Sequence, residues 1–159
     1  MDLRSLLIET HAHMPPAEIL SDLTENDAAR RFPGISHSIA DIVAHMAFWQ
    51  GWFAKRIAGT AEPLVATAAM GWPEVGNAGF STVREQFLSG LDRLVALVGN
   101  PELLGAPVTP ALEFPPLATY TVHDALIHVA HHNSHHLGQI VLLRQLYGMW
   151  PPSGGSFTW

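Results

Sequence analysis

Five of the ten histidines in this 159-residue chain fall within nine consecutive positions. They are His128, His131, His132, His135 and His136. Residues four apart in a helix lie one above the other on the same face, so the spacings 128/132, 131/135 and 132/136 each direct two imidazoles towards one point. Two imidazole nitrogens are most of a zinc site, which needs three or four ligands at about 2.0–2.1 Å. The cluster therefore predicts a divalent transition-metal site, and spacing alone leaves the choice among these pairs open.

A third ligand is expected from another helix. His45 shares an apolar helical face with Ile42, Trp49 and Trp52, and alone it would be interpreted as a core histidine that donates to a backbone carbonyl. Beside the cluster, which lacks a third donor, His45 becomes the candidate ligand. Asp41, one turn earlier, could accept the other ring N–H of His45 and fix its tautomer. Alternatively, Asp41 is a solvated acid in the first turn of its helix.

The remaining histidines give weaker signals. His11 and His13 have the His-x-His spacing that opens metal sites in amidohydrolase barrels, but those barrels need about 250 residues. We therefore expect both on a first helix, where one of them could still reach the site. His37 and His123 stand at predicted helix starts, where helix caps or pocket rims are the expectation.

Composition narrows the possible partners. The chain has no cysteine, so a transition metal must be held by histidine and carboxylate. The net charge is −6 and no basic run occurs, which argues against nucleic acid. Only 14% of residues are charged, well below the usual ~25%, and the resulting apolar surface predicts a homodimer. No signal peptide and no stretch of about 20 apolar residues is present, so we expect a soluble cytoplasmic protein with no membrane contact.

Periodicity predicts an all-α fold with no strand of useful length. Predicted helices cover about 3–13 with a short continuation at 17–23, then 36 or 38 to 57, 82–98, and 121–147. Ser36 or Ser38, Ser81, and Thr121 with Asp124 are the expected N-caps. Two long irregular loops, at 60–79 and 101–120, separate the helices. Residues 1–159 are therefore predicted to form a single four-helix-bundle domain, a fold that builds metal sites from inward-facing side chains.

The segment His132-Asn-Ser-His135-His136-Leu-Gly138-Gln139, with His45 on an earlier helix, resembles the DinB/YfiT-like superfamily of metal-dependent proteins. Its pattern is one histidine on the second helix and His-x3-His followed by x-Gly-Gln on the last core helix. The resemblance covers the whole chain in organisation and is specific at these two segments. It departs at Leu137, where the family often has arginine.

The resemblance implies that His45, His132 and His136 hold the metal. Four further residues then become candidates to surround the ligands or line the pocket: Asp41, His128, His135 and Gln139. Gly138 is expected to permit close helix packing. The role of His131 stays open. General acid or base candidates are Asp41, Asp124 and His128, and none is singled out as the catalytic residue.

The resemblance also implies a dimeric four-helix bundle that binds zinc, nickel or another divalent ion. Activities in the family include thiol-dependent transferases and isomerases as well as proposed hydrolases. We therefore expect a metal-dependent hydrolase or thiol S-transferase that acts on a small-molecule substrate. Because the chain has no cysteine, the thiol would be an external low-molecular-weight one. Trp72, Phe114 and Tyr120 in the two loops are expected to line the pocket. The alternative is a non-enzymatic metal- or ligand-binding helical bundle.

Overall fold

The computed structural model describes residues 2–8 and 13–156. Over these ranges the chain is helical, and its only β-type pairing is an isolated bridge between Pro107 and Thr121. The helices are α1 (Leu3–Ile8), α2 (Pro16–Ile19), α3 (Glu25–Ala29), α4 (Ile39–Ile57), α5 (Gly79–Val98), α6 (Pro101–Gly105) and α7 (Val122–Leu146). The predicted all-α class is confirmed. In the described part of the chain, no helix has the length and apolar character needed to cross a membrane.

Four helices form the bundle. Helix α4 packs against both α5 and α7, and α1 packs against the same two helices. Fully buried apolar side chains from three of these helices, among them Val43, Phe87 and Ile140, belong to one core cluster. Burial of such side chains is the main force that holds amphipathic helices together. The short helix α3 packs on α4 and α5, and α6 packs on α5 and α7.

Local capping signals set the start of the two helices that carry the histidines. Ser38, not Ser36, caps α4, and its side chain and that of Asp41 form a reciprocal capping box. Thr121 and Asp124 form the same motif at the start of α7, as predicted. These boxes satisfy backbone N–H groups that a helix start would otherwise leave unpaired.

The expected cap of the third helix is wrong. Helix α5 begins at Gly79, and its N-cap, Ala78, has no side chain that could accept a hydrogen bond. The carboxylate of Glu25, on α3, accepts from the backbone N–H of Phe80 and, at 2.8 Å, from that of Ser81. A carboxylate is well suited to this place because the start of a helix is electropositive.

The predicted end of the first helix at His13 and the two predicted loops also differ from the structure. Helix α1 is described to Ile8 and His13 lies in a bend, while residues 9–12, with His11, lie outside the described residues. Predicted loop 60–79 contains two short 3₁₀ turns, Ala68–Gly71 and Gly76–Ala78. Loop 101–120 contains α6, because Asn100 caps it and Pro101 suits the first helical position.

Candidate metal centre

Three histidines from two helices meet between α4 and α7. One ring nitrogen from each of His45, His132 and His136 lies within 4.8 Å of the others, and we call these residues the three-histidine group. The Nε2 atoms of His45 and His132 are 3.1 Å apart. Two nitrogens bound to one tetrahedral zinc at 2.0–2.1 Å would be about 3.3 Å apart. The spacing of the His45 and His132 nitrogens therefore fits two ligands of a single small ion.

A backbone carbonyl orients the first of these rings. Nδ1 of His45 lies 2.6 Å from the carbonyl oxygen of Gly71. A carbonyl oxygen can only accept, so Nδ1 carries the proton and the lone pair of the neutral ring is on Nε2. The contact therefore leaves Nε2, the atom that faces His132, as the donor for a metal.

An amide side chain orients the third ring. Nδ1 of His136 donates to Oε1 of Gln139 at 2.7 Å, which leaves Nε2 of His136 with the lone pair. The amide nitrogen of Gln139 donates in turn to Nε2 of His135 at 3.1 Å. Such outer partners fix the tautomer and raise the basicity of metal-binding histidines. Gln139 and His135 thus support the group without belonging to it.

The indole of Trp72 is sandwiched between two imidazoles. It stacks on His45 at a centroid distance of 3.8 Å and on His37 at 3.7 Å, and both rings lie within about 11° of parallel with it. Two imidazoles this close to one indole centre would collide on the same face, so they lie on opposite faces. Trp72 also meets His136 edge-on at 5.8 Å. This residue, expected in the pocket wall, therefore packs directly against two members of the three-histidine group.

Burial keeps the three rings neutral. Burial, together with the neighbouring imidazoles, lowers the pKa of His45 to about 4 and that of His132 to about 3. Burial lowers the pKa of His136 as well. A histidine binds a metal through the lone pair of its neutral form. At pH 7 all three rings can therefore act as ligands, and the donor set fits a divalent transition metal.

Asp41 does not contact His45 as one of the two interpretations expected. Its carboxylate accepts from the backbone N–H of Ser38 at 2.9 Å and pairs with Arg31 at 2.8 Å. The ring proton of His45 is donated to Gly71 instead. The alternative interpretation, an acid of the first helical turn, describes the position of Asp41.

The other histidines of α7 lie outside the three-histidine group. Nδ1 of His128 is 3.2 Å from the hydroxyl of Tyr120, and burial lowers the pKa of this histidine. His131 is exposed. His123, also exposed, lies 4.0 Å from the carboxylate of Asp124, which serves as the helix cap. These positions match a pocket rim or a helix start.

His13 bonds at a different place on α7. Its Nε2 is 2.8 Å from the hydroxyl of Ser134, and its Nδ1 is 2.8 Å from the carbonyl oxygen of Met14. The residue thus connects the segment before α2 to α7. His37 stacks on Trp72 and lines a cavity together with His136. Neither belongs to the three-histidine group.

A buried pair of amide side chains, Gln50 and Asn133, lies beside the site and is not among the residues predicted from the sequence. The side chain of Gln50 donates to the carbonyl oxygen of Phe87 at 3.0 Å and accepts from Asn133 at 3.2 Å. Together these bonds link α4, α5 and α7 next to His132. The signal in the sequence was a glutamine and an asparagine among residues that otherwise form apolar helix faces, because buried amides must find partners.

Three cavities adjoin the three-histidine group, and His136 lines the third of them, of about 420 Å³, together with Trp72 and Gln139. The first, of about 260 Å³, is bordered by His45 and His132 and otherwise has mainly aromatic and aliphatic walls. The second, of about 510 Å³, is lined by Tyr120, Asp124, Ile127 and four histidines of α7, including His132. Phe114, expected in a pocket wall, lines none of these three cavities and is 49% exposed.

Residues 16–140 match the sequence profile of the DinB superfamily. The chain belongs to this superfamily. The matched range contains all three residues of the three-histidine group, so the match to the superfamily includes the candidate metal site. No curated protein matches the sequence. Membership of the DinB superfamily and the three converging histidines are together compatible with the binding of a divalent metal.

Proposed function

We propose that this DinB-superfamily protein is a metal-dependent enzyme that holds one divalent transition-metal ion, zinc or nickel, with His45, His132 and His136. The observation that carries the proposal is the convergence of three neutral ring nitrogens within 4.8 Å. Two of the rings donate their Nδ1 protons to oxygen acceptors, which directs their lone pairs to Nε2. Preorganised donors of this kind bind a metal without first having to rotate.

The number of ligands favours a catalytic site over a structural one. Within residues 2–8 and 13–156, no fourth histidine or carboxylate joins the three-histidine group. Structural zinc sites are normally closed by four protein ligands, whereas catalytic sites have three and keep a position open. When bound, a divalent ion supplies Lewis acidity, which lowers the pKa of a water or a thiol enough to make it a nucleophile at neutral pH.

The proposed reaction is therefore hydrolysis or the transfer of an external low-molecular-weight thiol to an electrophile. The protein's own part is to hold His45 and His136 in fixed tautomers through Gly71 and Gln139. Trp72 covers one face of His45, and the cavity at His45 and His132 supplies space for a small substrate. Positioning of this kind lowers the entropic part of an activation barrier.

Metal content tests the first half of the proposal. Untagged protein should contain about one divalent ion per chain when measured by inductively coupled plasma mass spectrometry. His45→Ala, His132→Ala and His136→Ala should each lose it. The matched control is His131→Ala, which removes an exposed histidine next to His132 and should keep the ion. Metal content that stays unchanged in the three site variants would refute the assignment.

Turnover tests the second half. Metal-loaded protein is assayed for hydrolysis of model esters and, separately, for addition of a thiol to maleate-like or halogenated electrophiles. His132→Ala and His131→Ala serve as the paired site and control variants. The reaction class is identified by the assay in which His132→Ala is inactive and His131→Ala retains the activity of the wild type. No activity in either assay, with the metal bound, would contradict an enzyme of these two classes and favour the non-enzymatic alternative.

A further inference from the structure

The cavity of about 260 Å³ beside the three-histidine group has a distinctive wall, and we name it the aromatic cavity. Its apolar lining consists of Trp49, Trp52, Phe53, Leu64, Leu117 and Val129. These residues come from α4, α7 and both long loops. Neighbouring rings in the wall meet edge to face, with centroid distances of 5.8 Å between Trp49 and Trp52 and 5.0 Å between Trp52 and Phe53. Aromatic ligands favour the same arrangements.

Most polar atoms of the lining already have partners. The amide of Gln50 is bonded to Phe87 and Asn133. Nε1 of Trp52 donates to the carbonyl oxygen of Pro63 at 2.9 Å. A ligand therefore finds polar contacts mainly at the ring nitrogens of the three lining histidines, His45, His128 and His132. The remainder of the ligand meets apolar surface.

The aromatic cavity also lacks fixed charge. None of its ten lining residues is a lysine, arginine, aspartate or glutamate. A carboxylate or phosphate that entered it would lose its hydration and gain no paired cation from the side chains, which costs far more than burial of a neutral group. The part of a ligand that fills this space must therefore be uncharged.

We propose that the aromatic cavity binds the neutral aromatic part of the substrate and places its reacting end against His45 and His132. This inference rests on the proposed function, because it names the substrate class of the same site. The volume supports it: an apolar cavity of about 150 Å³ is enough for benzene, so 260 Å³ holds a substituted ring or a small fused pair of rings.

A pair of matched probes tests the charge requirement. Protein stripped of metal by a chelator is titrated with 2-naphthamide and with 2-naphthoate in an isothermal calorimeter at pH 7. The amide should bind with one site per chain, and the carboxylate should bind at least about tenfold more weakly, because burial of the ion is costly. Absence of metal ensures that the carboxylate cannot gain affinity from the ion.

A pair of matched variants tests the location. Leu64 lines the aromatic cavity and is 40% exposed, so Leu64→Trp should fill the space without disturbing the core. Met70, in the same loop, does not line it and is 57% exposed. We expect Leu64→Trp to weaken binding of the amide about tenfold or more, since an occupied cavity cannot take the ligand, and Met70→Trp to leave binding unchanged. Val129→Phe fills the cavity from α7 and should act like Leu64→Trp.

The outcomes separate this inference from the proposed function. Absence of binding by the amide, equal or tighter binding of the carboxylate, or full binding by both cavity-filling variants would overturn the inference, whatever the metal content. If the amide binds as expected while the three histidine variants keep the metal content of the wild type, the proposed metal site fails and the aromatic cavity stands as a ligand site.

Discussion

The imidazole of His45 donates its Nδ1 proton to the carbonyl oxygen of Gly71 across 2.6 Å. This bond joins α4 to the loop that follows it, and it depends on the missing side chain of residue 71. A Cβ added to Gly71 would lie 3.0 Å from Cζ2 and Nε1 of Trp49. The backbone of Gly71 thus lies close to that indole, with no room for a methyl group between them. Gly71 is therefore a positioning residue for the proposed ligand.

The substitution Gly71→Ala should weaken metal binding while all three histidines remain. The new methyl group must displace Trp49 or the turn, which moves the carbonyl that orients His45. Loss of such an outer partner typically lowers metal affinity by about 10–100-fold. Competition with a chromophoric chelator measures the change. Gly105→Ala is the control, because a Cβ there meets nothing within 4 Å. Wild-type affinity in Gly71→Ala would show that the carbonyl does not position His45.

Gln139 permits a sharper test, since the oxygen and the nitrogen of its side-chain amide bond to different histidines. Gln139→Ala removes the acceptor of the His136 proton and should lower metal affinity by about 10–100-fold. Gln139→Glu keeps an oxygen acceptor for His136 but cannot donate to His135, so most of the affinity should return. The same chelator competition compares the two variants. If glutamate were as weak as alanine, the contact with His135 rather than the one with His136 would be the important one.

Local signals explain which parts of the fold could be predicted from the sequence. The capping boxes of α4 and α7 lie within four residues, so the sequence displays them directly. The cap of α5 comes from Glu25, 56 residues before Ser81, and nothing near Ser81 indicates it. Gly71 is a comparable case. Its positioning role depends on contacts with His45 and Trp49, which lie far before it in the sequence.

The histidine cluster shows a second limit. Helix α7 has apolar residues on nearly all sides, so periodicity could not decide which of its histidines face α4. The resemblance to the DinB superfamily supplied the choice of His132 and His136. In the structure, packing of residues such as Leu126 and Ile140 into the core fixes the rotation of α7. That rotation brings His132 and His136 to His45 and leaves His131 exposed.

Gly138 was expected to permit close helix packing, and this expectation is wrong. The residue is exposed, and a Cβ built on it meets nothing within 4 Å. Glycine inside a helix costs about 0.5–1 kcal/mol relative to alanine. Gly138→Ala should therefore raise the free energy of unfolding by about that amount, as measured by urea denaturation.

The control for Gly138→Ala is the same substitution at Gly90 in α5. There a Cβ would lie 3.0 Å from Nε2 of Gln50, the atom that bonds to Phe87. At Gly90→Ala, the cost of this crowding should exceed the gain in helix propensity, so the free energy of unfolding should decrease. A destabilising effect of Gly138→Ala would instead indicate a partner that covers this face of α7.

Acid should destabilise the protein when the metal has been removed. Unfolded histidines titrate near 6.5, whereas the folded pKa values of His45 and His132 are about 4 and about 3 because the rings are buried. As the pH falls below 6.5, the unfolded chain takes up protons that the folded chain does not, so the free energy of unfolding decreases. Between pH 6.5 and about 4.5, most carboxylates are still ionised, so the loss in this window comes mainly from histidines.

The melting temperature, Tm, measured in the presence of a chelator should fall across this pH range. His132→Gln should make the fall less steep. An equal slope in the wild type and in His132→Gln would contradict the burial of a neutral His132.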